Sequence, residues 1–234
     1  MLTAHQLIDL QVCALFSHDA NSRLLRINEP SENGGLAPRF FFGRTRDGNI
    51  WRFRNELPED LVEELERLCS SEPVTSALED GPCHRGGYLK LLEDHAPVTE
   101  VRAGPAYCFT EFRMPAKQTV LLTKADAELL NGGFEDLIGE LSTWQPFVAL
   151  IKDEKAVSIC RSVRITAQAH EAGVETLPEF RGRGYAGDVT AAWARLVRTT
   201  GAVPLYSTSW QNDASQGVAR KLNLKKFGED FSVY

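Results

Sequence analysis

The chain has no run of about 18 apolar residues, so no segment has the length and polarity of a membrane-spanning helix, and no membrane association is expected. It also lacks a basic cluster: 26 Lys and Arg are scattered among 32 Asp and Glu, for a net charge of −6. That balance gives no electrostatic footprint for nucleic acid and disfavours a polyanionic partner. Cysteine is sparse and unpaired in pattern. The five thiols, at 13, 69, 83, 108 and 160, contain no C-x-x-C, and Cys83 and His84 are adjacent rather than at ligand spacing. Neither a metal site nor a disulfide framework is expected, and free thiols suit a reducing compartment. The stretch from Met1 to Phe16 has no basic segment and no small-residue cleavage site, so a cytoplasmic protein is the expectation.

What is present is the composition of a globular protein. At 234 residues and 43% apolar content, the chain can hold one large domain or two modest ones. Leu7, Leu10, Val12, Leu15 and Phe16 sit near helical spacing and predict a helix over 3–17. Segments 24–28, 39–44 and 49–54 then read as an antiparallel meander, the last two joined by the turn signal Arg46-Asp47-Gly48. Pro58, Glu59 and Asp60 mark the start of a helix of about 13 residues. Residues 70–105 are rich in Ser, Pro, Gly and charge around a short helical candidate at 88–92, and the boundary is placed there. Residues 1–100 then form an N-terminal α+β unit without an assigned role, and residues 101–234 a second domain.

In the second half, strands are expected at 107–113 and near Val120, with a helical stretch over 125–141. A meander follows at 147–152, 157–165 and 169–177. Then come a helix at 183–200, a strand at 205–210, a helix at 213–222 and a closing strand at 227–234. The fold class is α/β (α+β) with a central mixed sheet.

The chemistry concentrates in Val174-Glu-Thr-Leu-Pro-Glu-Phe-Arg-Gly-Arg-Gly-Tyr-Ala186, between a strand and an amphipathic helix. Gly182 and Gly184 let the backbone curl so that successive N–H groups point inward at a helix N-terminus, where the dipole favours an anion such as a diphosphate. Arg181 and Arg183 are either charge-assisted donors or solvated surface. The G-x-G-x-x-G of Gly182 to Gly187 also matches a dinucleotide fingerprint. That reading fails because Pro178 to Arg181 separate the glycines from the strand and the next strand ends in Ser207-Thr-Ser-Trp210 without an acid.

With these residues in place the C-terminal segment resembles the GNAT superfamily of N-acetyltransferases. Arg181-Gly-Arg-Gly-Tyr-Ala186 satisfies the family's Gln/Arg-x-x-Gly-x-Gly/Ala signature, and Trp210-Gln-Asn212-Asp-Ala-Ser215 resembles its second element, an Asn ahead of a helix. The resemblance spans at most about 130 residues and is sharp from His170. It implies acetyl-CoA as co-substrate, with the amides of Gly182, Arg183, Gly184, Tyr185 and Ala186 on its diphosphate. The strand carrying Val174, Thr176 and Leu177 would lie along the pantetheine, and Asn212 and Ser215 would contact the same arm. It also implies a primary amine on a small molecule or peptide as acceptor, activated by a general base.

Strand parity puts Glu171, Gly173 and Glu175 on one face and Ala172, Val174 and Thr176 on the other. Glu175 is the first candidate base and Glu171 the second; the alternative is that they are solvated or bridged to Arg161 or Arg164. The family's usual Tyr, seven residues after the Asn, is Ala219 here, and its usual Gly-Phe is Asn223-Leu224. The general acid is therefore unassigned, with Ser215 a candidate and Tyr206 and Tyr234 alternatives; Ser215 also suits a hydrogen bond at the helix start. Phe40, Phe41, Phe42, Trp51 and Phe53 read as core, while Arg39, Arg44, Arg52 and Arg54 are candidates for recognising an anionic substrate. A homodimer, a non-catalytic CoA sensor, use of longer acyl chains and CoA-thioester decarboxylation stay open at this point.

Overall fold

A computed structural model describes residues 2–30 and 34–234. Its centre is a nine-stranded mixed sheet. The strands are β3 (Phe40–Thr45), β4 (Ile50–Phe53), β5 (Val101–Cys108), β6 (Val120–Leu122), β7 (Phe147–Lys152), β8 (Lys155–Ile165), β9 (Ala169–Thr176), β10 (Val203–Ser207) and β11 (Lys225–Val233). They lie in the order β4-β3-β11-β5-β10-β9-β8-β7-β6. β9 and β10 make the one parallel pair; every other neighbour is antiparallel. A separate hairpin joins β1 (Phe16–His18) to β2 (Leu24–Ile27).

Among the described residues five α-helices cover the sheet: α1 (Ala4–Leu15), α2 (Glu59–Ser71), α3 (Arg85–His95), α4 (Tyr185–Thr199) and α5 (Asp213–Lys221). Thr3 caps α1 through a capping box with Gln6. The run Phe40-Phe41-Phe42 feeds two cores at once. Phe41 packs with α1, Leu205 and Ala169, whereas Phe40 and Phe42 pack with α2, α3 and Phe231. α4 sets Tyr185, Val189 and Trp193 against Val148, Cys160, Ala172 and Val174. The aromatic run is therefore core, as its composition implied.

Several sequence expectations are corrected. The strand at 24–28 does not join a three-stranded meander; it pairs with residues 16–18, which were expected to end the first helix. The strand expected at 107–113 runs over 101–108. Residues 101–105 fall in the Ser-, Pro- and Gly-rich stretch where the boundary is expected, yet Gly104 stands inside the strand, where the Thr208 carbonyl occupies the place of a Cβ. The helix expected over 125–141 is two 3-10 segments, Lys124–Leu130 and Glu135–Glu140, separated where Gly132 and Gly133 take φ of 93° and 149°. The strand expected at 205–210 ends at Ser207 and gives way to a loop. Among the described residues no helix is long and apolar enough to cross a membrane.

The N-terminal strands add to the sheet through β11, which lies between β3 and β5. Arg39 reinforces that join. It is buried, and its guanidinium donates to the carbonyls of Leu92, Ala96, Pro97 and Tyr234 at 2.9–3.2 Å, so it is a structural group rather than a surface anion receptor. Arg39→Ala is expected to cost about 2–4 kcal/mol of stability by leaving these acceptors unpaired, read as a lowered denaturant midpoint at unchanged slope. A loss below about 0.5 kcal/mol would mean that the carbonyls find other partners.

Candidate functional site

β9 and β10 pair only from Val203↔Ala169 to Leu205↔Glu171. Beyond that point β9 stays with β8 as far as Thr176, while β10 stays with β5, where Ser207 lies opposite Ala106. The two parallel strands part like the arms of a V. Between them opens a cleft of about 950 Å³, bounded by Val174 to Leu177 on one arm, Tyr206 to Thr208 on the other, and the starts of α4 and α5. That volume lies at the upper end of ordinary ligand pockets, roughly 300–1,000 Å³.

The start of α4 closes one side. Gly184 is its N-cap with φ 84°, Gly182 has φ 75°, and a Cβ at either would meet no protein atom within 4 Å. The amides of Gly182, Arg183, Gly184, Tyr185 and Ala186 find no acceptor among the described residues, whereas Gly187 and Asp188 N–H already donate to the Gly184 carbonyl. Five free donors at the positive end of a four-turn helix make an anion cradle. Arg181 Nε donates to the Thr176 carbonyl at 3.1 Å, and Arg183 donates to the Glu179 carbonyl at 3.0 Å with its guanidinium over the Phe180 ring. Each arginine thus has backbone anchors and further N–H groups to spare.

Opposite, Asn212 Oδ1 caps α5 by accepting from Ser215 N–H at 2.9 Å. Asn212 also lines the cleft. Ser215 does not make the expected side-chain cap; its Oγ pairs with the Tyr206 hydroxyl at 2.7 Å. Burial pushes the Tyr206 hydroxyl up to about 12, so it serves as a hydrogen-bond donor rather than as a free acid. Ala219, at the place of the expected Tyr, is buried.

The two candidate carboxylates differ sharply. Glu175 is half-exposed and held by Arg161 at 2.6 Å, the bridged alternative of the sequence reading. Glu171 lies at the last paired position, where the arms of the V meet, and is buried. Its Oε2 accepts from Ser207 Oγ at 3.3 Å, and its Oε1 has no partner. Burial, then the nearby Asp230 carboxyl, push Glu171 up to about 8, against the pull of Ser207 and Arg164. Asp230, on β11, is itself pushed up by burial to about 7 and accepts from Gln11 Nε2 at 3.0 Å. His170 packs on the α4 side, where Ser162 Oγ links it to Trp193 Nε1.

Of the residues expected from sequence, those at the start of α4, Asn212 and Glu175 line one cleft, and Glu171 lies where its two strands part. Sequence reasoning missed Ser207, Asp230 and Gln11, whose proximity comes from strand pairing across long separations and leaves no local signal. Glu72, Cys83 and His84 also lie together, but both Glu72 oxygens accept from the Cys83 and His84 amides at the start of α3, with Tyr88 as a third donor.

Residues 146–234 match the family model described as GNAT acetyltransferase. No curated protein matches the chain. Among solved structures, a putative GNAT-family acetyltransferase from Novosphingobium aromaticivorans aligns at 17% identity and TM-score 0.47, covering 58% of this chain and 65% of that one, just under two thirds of its length. A GCN5-related N-acetyltransferase-like protein from Streptococcus suis aligns at 16% and TM-score 0.48, over 85% of each chain. A GNAT-family acetyltransferase from Colwellia psychrerythraea aligns at 14% and TM-score 0.46, over 100% of this chain and 98% of that one.

The raised carboxyl pKa values have a direct consequence for stability. The folded protein holds protons that the unfolded chain releases, so the contribution of Glu171 is full below its ordinary pKa and is lost as pH rises through about 8. Glu171→Gln is therefore expected to flatten the fall in melting temperature between about pH 5 and 8 and to be the more stable protein at the alkaline end. Parallel pH profiles for the two proteins would show that Glu171 ionises in the fold as it does in water.

Proposed function

We propose, from the match of residues 146–234 to the GNAT acetyltransferase family model, that the chain is a member of that superfamily and transfers an acetyl group from acetyl-CoA to a primary amine of a small molecule or peptide. The observation that carries this reading is the V-shaped cleft with five unpartnered amides at one end, and the buried Glu171 carboxyl at the last paired position, where the two strands begin to part. The CoA diphosphate fits the Gly182–Ala186 cradle, with Arg181 and Arg183 supplying further positive charge. The pantetheine arm runs between the strands. There the edge of Val174 to Thr176 that β10 leaves unpaired offers backbone donors and acceptors, and Asn212 contacts the arm from the other side. A backbone N–H on that edge also suits the oxyanion that develops on the thioester carbonyl.

In the reaction the amine nitrogen attacks the thioester carbon, the C–S bond breaks, one amine proton passes to a base and a proton is returned to the departing thiolate. Glu171 is the better base, although Glu175 led on sequence alone. It sits where the thioester end of the cofactor arrives, one oxygen is unoccupied, and burial holds its pKa near the pH at which a general base works best. Ser207, on the cleft wall, connects it to the acceptor. Glu175, neutralised by Arg161 farther along β9, shapes the acceptor side. The Tyr206–Ser215 hydroxyl pair supplies the hydrogen bond that stabilises the thiolate, a task the missing family Tyr would otherwise perform. That pair favours catalysis over a purely sensory role.

The test is CoA binding followed by thiol release from acetyl-CoA across a panel of amines. Gly184→Val places a branched side chain in the diphosphate cradle at a left-handed backbone position and is expected to weaken CoA by at least about tenfold. Glu171→Gln is expected to lower kcat by about 10²–10⁴-fold and to remove the rise of rate with pH, while Glu175→Gln has the smaller effect. Undiminished CoA affinity in Gly184→Val would refute the cradle; equal rates for wild type and Glu171→Gln would refute the base.

A further inference from the structure

Arg44 on β3 and Glu229 on β11 form an ion pair at 2.6 Å with side chains only 4% and 0% exposed, the most deeply buried pair among the described residues. Arg44 is therefore a structural cation and not a receptor for an anionic substrate. Its guanidinium also donates to the carbonyls of Ala77 and Leu78, which ties it to the segment after α2. Glu229 uses its other oxygen to accept the indole N–H of Trp210 at 2.8 Å. A buried ion pair in itself adds little stability, because desolvation offsets the attraction; its value lies in the geometry it imposes.

What this geometry holds is the wall of the cleft. Trp210 sits in the loop between β10 and α5, two residues before Asn212. Its backbone N–H donates to Ala103 on β5, and its carbonyl accepts from Gln216 of α5 at 2.8 Å. The Lys226 ammonium lies 5.4 Å from the centre of its ring. One turn of chain earlier, Thr208 lies directly on Gly104, where any side chain would displace it. Thr208, Asn212, Asp213, Ala214 and Ser215 all line the cleft. Rotation of the indole would therefore carry Asn212 and the first turn of α5 with it.

We propose that Glu229 and Trp210 are positioning residues for the acyl-CoA cleft. Arg44 from the N-terminal half holds Glu229, Glu229 holds the indole, and the indole fixes the Thr208–Ser215 wall at the spacing the pantetheine arm requires. The inference rests on the acyl-CoA reading of the cleft and gives the N-terminal half a part in cofactor binding, although none of its described residues lines that cleft. If the chain Arg44–Glu229–Trp210 were merely a core hydrogen-bond network, breaking it would lower stability without changing affinity.

The experiment is calorimetric titration of the full-length protein with CoA, alongside its melting temperature, for wild type, Trp210→Phe and Arg44→Lys. Trp210→Phe keeps an aromatic ring but removes the indole donor to Glu229 Oε1; Arg44→Lys keeps the charge but loses the fork that grips Glu229 and the two carbonyls. Both are expected to raise the Kd for CoA by about tenfold or more while the protein stays folded at the assay temperature. Unchanged Kd in a folded variant overturns the inference alone. Should Arg44→Lys fail to fold, Trp210→Phe decides. Failure of the wild type to bind CoA overturns both the inference and the reading beneath it.

Discussion

Two parallel strands that stop pairing inside a sheet create an obligation, because backbone amides and carbonyls taken from one another must find partners elsewhere. β9 and β10 part after Glu171↔Leu205, and each keeps only its outer neighbour, β8 or β5. The inner edges face a cleft whose other walls are helix starts, which carry free N–H groups of their own. Almost every feature of the site follows from that one parting. It makes room for an extended ligand with alternating hydrogen-bonding groups, places an anion cradle at one end and brings a carboxylate to the vertex.

The vertex is where stability and chemistry conflict. Glu171 is buried, and the nearby Asp230 carboxyl adds to the upward push on it, while Asp230 itself is raised by burial and then by Glu229; Ser207 donates to one Glu171 oxygen and leaves the other without a partner, and Gln11 donates to Asp230. A fold optimised for stability alone would place apolar residues there. The same burial that makes Glu171 costly to ionise raises its proton affinity, which is what suits it to the proposed role of base toward an amine. Gln11 comes from α1 and Asp230 from β11, so the electrostatics of the vertex involve both ends of the chain. Arg44 makes a similar connection to the cofactor side through Glu229 and Trp210. The N-terminal half is thus built into the site's surroundings from two directions.

Much of the site was legible locally. Gly182 and Gly184 with the flanking arginines form a motif whose geometry is dictated within a few residues, and Asn212 ahead of a short helix is a local cap signal. Alternation along β9 correctly separated the glutamates from Ala172 and Val174. Parity, however, gives only the face of a strand, not its neighbour. It could not tell that Arg161 stands beside Glu175, or that Asp230 from the last strand and Gln11 from the first helix meet near Glu171. Two glycine sites also differ from the sequence expectation. Gly104 sits inside a strand because another backbone touches it, whereas Gly132 and Gly133 interrupt what the apolar spacing presented as one helix.

Hydrogen exchange of the intact protein, with and without CoA, tests most directly whether the parted strands and the α4 loop receive the coenzyme. The account predicts slowed exchange concentrated at the amides of Gly182 to Ala186 and along residues 172–176, with the α2–α3 region unaffected. Saturation with CoA that leaves those amides exchanging as before, while slowing others elsewhere in the chain, would contradict it.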